Sequence, residues 1–120
     1  MATSYLPLYR PADRVTFTAG GAIEAGAPVE ISAAWTVVTA AASSAAYVGL
    51  AGHAAGEGDD LTVEVGRVIH ELTAGEAIAA GDPLTIGSAG DVVKAVDPAP
   101  AVFLAVSAAE ADNPVAALQL

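Results

Sequence analysis

From Val15 onward the chain is a succession of short apolar or alternating blocks. They are VTFT at Val15, PVEI at Pro28, WTVVT at Trp35, YVGLA at Tyr47, LTVEVGRVIHEL at Leu61, PLTI at Pro83, DVVKAV at Asp91, AVFLAV at Ala101 and PVAALQL at Pro114. Gly, Pro, Asp, Asn and Ser interrupt them every few residues, which is the spacing of an all-β domain. TAAASSAAY and SAAEADN are alanine-rich and so have helix propensity, but they are short and carry no apolar stripe. They are read as loops with at most a single turn.

The pattern occurs twice. TAGGAIEAGAPVEI, starting at Thr18, returns as TAGEAIAAGDPLTI, starting at Thr73, with Gly20 over Gly75, Ile23 over Ile78, Gly26 over Gly81 and Pro28 over Pro83. Thr36, Val37 and Val38 fall on Asp91, Val92 and Val93 at the same offset. After a one-residue deletion VGLAGHAA at Val48 falls on VFLAVSAA at Val102, and GDDLTVEV at Gly58 on DNPVAALQ at Asp112. One structural unit used twice is expected, and the halves should pack into a pseudo-symmetric barrel or clip because neither buries its apolar face alone. In each Ala-Gly-x-Pro step, Gly26 or Gly81 takes positive φ, and Pro28 or Pro83 leads into a strand where no ladder N–H is needed. Ile23 and Ile78 plug the barrel end.

Residues 1–14 differ from the rest. Pro7 and Pro11 lie among Tyr5, Leu6, Leu8, Tyr9 and Arg10, with no helical or strand period, so the segment reads as an extended arm. The arm packs either on its own domain or on a partner. Residues 15–120 are then a single β-barrel domain built from two similar halves, about 15–66 and 70–120.

Composition narrows the function. Four Lys plus Arg against fourteen Asp plus Glu give a net charge of -10, which repels a phosphate backbone and argues against nucleic acid. Arg10 and Arg14 are two of the four cations, so charge is polarised along the chain. Thirty alanines and 5% aromatic residues make a thin core, and part of the stability is expected from self-association. Without cysteine there is no disulfide framework and no thiolate chemistry. No secretory signal and no run of membrane-spanning length is read, so the protein is expected to be soluble and made in a cytoplasm, without a membrane partner.

Candidate chemistry is sparse. His53, in the Gly-Ala loop, and His70, on a strand face, have no partner at a motif spacing, so neither supports nucleophilic or metal catalysis. Glu57, Asp59 and Asp60 invite calcium but lack the spaced ligands and terminal Glu of an EF-hand, and a solvated acidic turn is preferred. GSAGD, from Gly87 to Asp91, joins two strands as a hairpin and offers a phosphate no helix N-terminus. Ser32, Ser43, Ser44, Ser88 and Ser107 are read in turns or loops without a paired base. Trp35, the sole Trp, is read as a core or interface anchor ahead of a ligand-stacking platform. No catalytic residue, metal site or cofactor is expected.

The order of the arm, VTFTAGGAIEAGAPVEI, YVGLAGHAAGEGDDLTVEVGRVIHEL, LTAGEAIAAGDPLTI, GDVVKAV and VFLAVSAAEADNPVAALQL resembles the small capsid decoration or cement proteins of tailed bacteriophages, related in fold to lambda-type head decoration proteins. The resemblance spans Val15 to Leu120 and implies a small β-tulip or β-clip-like barrel. It implies a homotrimer, not an enzyme, that binds the major capsid protein on the outside of the expanded head and stabilises the lattice as part of the virion. The arm, with Tyr5, Leu6, Leu8, Tyr9, Arg10 and Arg14, would lie on the shell, suited to adding a strand to an exposed sheet edge. The alternative is a β-clip-like module binding carbohydrate or a host surface. A swinging-cofactor version fits poorly, since Lys94, the sole lysine, lies within a strand block.

Overall fold

The computed structural model describes residues 13–120, so Tyr5, Leu6, Leu8, Tyr9 and Arg10 lie outside the described residues. The described residues form ten strands and no helix. The first five are β1 (Arg14–Ala19), β2 (Pro28–Ala33), β3 (Thr36–Thr39), β4 (Tyr47–Ala51) and β5 (Asp60–Glu64). The second five are β6 (Ile69–Thr73), β7 (Pro83–Ile86), β8 (Val92–Lys94), β9 (Phe103–Ala105) and β10 (Pro114–Gln119). The all-β reading holds, and both alanine-rich segments are loops.

The first five strands close into a barrel in the order β1-β3-β2-β4-β5. Closure comes from a parallel pairing of β1 with β3, Thr18 against Thr36 and Ala19 against Val37, while β1 pairs antiparallel with β5 on its other side. The last five form a sheet in the order β6-β10-β9-β7-β8, and a single parallel bridge from Ala74 to Val92 joins its two edges. That bridge repeats the Ala19 and Val37 contact 55 residues on. The sequence repeat is therefore a repeat of the complete five-stranded unit.

Here the structure differs from the expectation that neither half buries its apolar face alone. One core cluster is Phe17, Ala19, Ile23, Val29, Val37, Ala51, Leu61 and Val63, all from the first half. The other is Ala74, Ile78, Leu84, Ile86, Val92, Phe103, Ala105, Val115 and Ala117, all from the second. Five short strands closing on themselves leave a narrow interior, and alternating Val, Leu and Ala are small enough to fill it. Ile23 and Ile78 each plug their own half, bridged to Ala55 and Ala109 respectively.

Backbone geometry repeats even where residue identity does not. Gly26 and Gly81 have φ of 78° and 90°, each the third residue of a turn closed by Ala27 N–H to Glu24 O and by Asp82 N–H to Ala79 O, as a type II turn requires. Gly58 (84°) has Asp112 (68°) as its partner, and Gly90 (77°) has Trp35 (53°). Trp35 is thus not in a strand core: it occupies the β2–β3 turn in the left-handed region and is 51% exposed.

Candidate interaction surface

The first feature is the start of β1. Arg14, assigned with the arm from sequence, is the first residue of β1, and its Nε donates to Glu64 Oε2 on β5 at 3.2 Å. Val63 and Val15, then Thr62 and Thr16, continue that ladder. Thr18 N–H turns to the other side, to Trp35 O at 2.8 Å. Since alternate residues of a strand point their N–H and C=O groups the same way, Arg14 and Thr16 present theirs to that side too. A groove of about 500 Å³ runs there, lined by Arg14 to Thr18, Trp35 and Asp60. Phe17 and Trp35 meet across it with ring centroids 5.8 Å apart. Trp35 is half exposed here over the buried Phe17 ring, beside the first residues of β1.

The second feature is the junction between halves. Gln119, fully buried at the end of β10, accepts from Tyr47 Oη–H at 2.6 Å and donates through Nε2 to Glu64 O (3.0 Å) and Gly66 O (2.8 Å). Its backbone N–H donates to Val68 O, and Ser43 N–H donates to Ile86 O. The Tyr47 ring packs on Phe103 at 5.4 Å, and His70 sets its edge against the same ring at 6.3 Å. Burial pushes the Tyr47 phenol well above its ordinary pKa. Burial also lowers that of His70, opposed by the nearby Gln119 amide and Glu64 carboxylate. This network was not legible in sequence, because Gln119 sits among alternating apolar residues and its three partners lie on the far side of the repeat.

His53 is exposed, and its ring is held: Nε2 accepts from Thr62 N–H at 3.2 Å, leaving Nδ1–H to donate to Ala54 O at 2.9 Å. Asp59 Oδ2 accepts from Gly56 N–H and closes its own turn, while Glu57 and Asp60 are exposed beside it. Among the described residues no three His, Asp or Glu side chains are grouped as metal ligands. Ser32 lies in β2 instead of a turn, Ser44 Oγ accepts from Ala46 N–H, and Ser107 Oγ accepts from Ala116 N–H. GSAGD is the β7–β8 hairpin, with Gly87 N–H donating to Asp91 O. Lys94 ends β8 and is exposed. Among the described residues no helix is long and apolar enough to cross a membrane.

The described residues form a duplicated small β-barrel fold in which the candidate polar side chains close turns or join the two halves. The phage cement protein family model matches residues 9–120, and the chain belongs to that family of structural, capsid-associated proteins. Among solved structures, the N base of head fiber gp8.5 of bacteriophage phi29 shares the fold, with a TM-score of 0.65 and 23% identity over 89% of this chain and 92% of that one. No curated protein matches the chain.

Proposed function

We propose that the protein decorates the outer surface of an expanded phage head, binds the major capsid protein there and stabilises the lattice as a homotrimer. The observation that carries this reading is the family match over residues 9–120 on a body whose polar groups are spent on turns and on the inter-half junction. The phi29 neighbour, by its description part of a head fiber, supports a place on a head. The arm, through Tyr5, Leu6, Leu8, Tyr9 and Arg10 with Arg14 at its root, lies on the shell, and extended backbone there adds to a sheet edge of the capsid. Many copies acting on one lattice stabilise it by mass action even when each contact is weak. In this role the protein catalyses no reaction, needs no cofactor and binds no nucleic acid.

Co-sedimentation with purified heads tests the reading. The intact chain pellets with expanded heads and not with procapsids, and deletion of residues 1–10 abolishes pelleting while leaving the oligomer folded. Pelleting that survives the deletion removes the arm from the mechanism. A second reading, recognition of carbohydrate or a host surface, is favoured by the half-exposed Trp35 over Phe17. Glycan-array hits lost on Trp35→Ala select it.

A further inference from the structure

The repeat locates a chemical difference at one end of the second half. His70 and Gln119 stand where the first half has Val15 and Val65, and Phe103 stands where it has Gly49. Val15 and Val65 simply pack against the first core. In the second half the matching place holds an imidazole and an amide, and the first half covers it. Tyr47 packs on Phe103 and donates to Gln119 Oε1, while the Gln119 amide nitrogen donates to the carbonyls of Glu64 and Gly66. Residues 65–68 connect the halves, and each half keeps its own core.

His70 brings an unmet polar atom to this junction. Its Nε2 is buried without a hydrogen-bond partner, and its ring stands edge-on to Phe103. A neutral ring leaves one nitrogen unpaired there. A charged ring has two N–H donors to satisfy, and a buried cation without a partner is far more costly than an unpaired neutral nitrogen. The acceptor at hand, Gln119 Oε1, already receives the Tyr47 hydroxyl at 2.6 Å, so the second N–H competes with a bond that ties the halves. Other groups around the ring offer little relief. The Glu64 carboxylate favours the charge, but its Oε2 is held by Arg14 Nε at 3.2 Å. Glu71, next along β6, is exposed. Tyr47 from β4 stays neutral, and β9 and β10 bring the uncharged Phe103 and Gln119. Burial prevails over Gln119 and Glu64 and lowers the pKa of His70.

We propose that His70 makes the junction a proton-operated hinge: with its ring neutral the first half stays seated on the end of the second, and a proton on the ring unseats it while both five-stranded cores remain closed. Movement about residues 65–68 wets the ring, and the Gln119 amide and the Tyr47 hydroxyl then exchange each other for water. A histidine at a packed junction is suited to this because its charge changes near neutral pH. In the open form the ring takes a proton at its ordinary value near 6.5, and in the closed form only at lower pH. Closure is therefore fully favoured above about 6.5 and is lost as pH falls, by up to about tenfold in the opening equilibrium per pH unit. The chain has two histidines. The other, His53, is exposed in the loop between β4 and β5 with both ring nitrogens bonded locally, so His70 is the one placed to drive the change. The inference depends on neither capsid binding nor the oligomeric state.

Hydrogen exchange on the full chain, read as protection factors between about pH 7.5 and about pH 5, tests the hinge. Two backbone amides report on the junction, Gln119 N–H to Val68 O and Ser43 N–H to Ile86 O. Their protection should fall by up to about tenfold for each pH unit below about 6.5, while the amides of Val63 and Leu84, one in each core, keep theirs. His70→Gln should flatten that response, and His53→Gln should leave it as it is. Should His70→Gln fail to fold, proton resonance of the unaltered chain reads the same claim: the His70 imidazole, the Gln119 amide and the Tyr47 ring titrate with one midpoint, and separate midpoints refute it. Junction protection that does not change with pH, or a response that His70→Gln retains, overturns the inference. So do core amides that open together with the junction, since that is ordinary acid unfolding.

Discussion

At the residue scale, three glycines separate two kinds of constraint. Gly26 and Gly81 need positive φ, but a Cβ at either would meet nothing within 4 Å, so Gly26→Ala and Gly81→Ala each cost about 1–2 kcal/mol of backbone strain. Gly49 is a packing constraint: a Cβ there would run into Glu64 O, a backbone atom of the paired strand, so Gly49→Ala costs more than either turn variant. Urea denaturation of the three variants checks this order. Titration of the junction gives a second expectation. The Tyr47 phenol is held neutral by burial, so its contribution is whole below the ordinary value near 10 and is lost as pH rises above it, where the unfolded chain ionises. His70 has the opposite sense: its pKa is lowered, so its contribution is present above the ordinary value near 6.5 and is lost as pH falls, because the unfolded chain takes the proton first. Melting temperature against pH should fall at both ends; Tyr47→Phe flattens the alkaline limb and His70→Gln softens the acid one.

At the element scale, each half is a complete closed unit, and the halves are held to one another by few groups. Truncating Leu61, fully buried in the first core, to Ala costs about 2–5 kcal/mol, and the loss should fall on β1 to β5. Coupling through Tyr47 and Gln119 is a separate quantity. Tyr47→Phe leaves a buried amide oxygen without its donor, and Gln119→Leu leaves the Glu64 and Gly66 carbonyls short of theirs, at about 1–3 kcal/mol each. Because both changes break one network, the double variant loses less than the sum of the singles. Native-state hydrogen exchange shows the consequence. In the double variant the amides of Val29, Val37 and Val63 exchange as one group and those of Leu84, Val92 and Phe103 as another; a single common group would contradict two independent cores.

For the whole molecule, charge and apolar surface oppose each other. Net charge of -10 repels copies from one another, while burial of exposed apolar residues such as Ile69, Leu104 and Val106 would favour association by removing apolar area from water. Salt screens the first and barely touches the second. Association of the isolated protein should therefore strengthen from low to moderate ionic strength, as sedimentation equilibrium would show; weakening would mean that ion pairs dominate the contact. In the proposed role, attachment to heads through Arg10 and Arg14 would carry the opposite salt sign, so the two interactions would separate experimentally.

Strand positions, the duplication and the turn residues were readable from sequence because each is local: alternation shows which residues share a face, and Gly-x-Pro shows where the chain must turn. Alternation does not say what covers a face. Pro28 and Pro83, or Leu50 and Leu104, are the same letters in matching strings, yet one of each pair is buried and the other bare, and only the docking of one half on the other decides which. The closure of each half likewise rests on a parallel contact between its first and third strands, a pairing across some twenty residues that leaves no periodic trace. Trp35 reads as a strand residue until its turn is seen to match that of Gly90, and Gln119 reads as one more position of a terminal strand until Tyr47, Glu64 and Gly66 are brought to it. Local geometry is written residue by residue, whereas burial is a property of surfaces that meet only after the chain has folded.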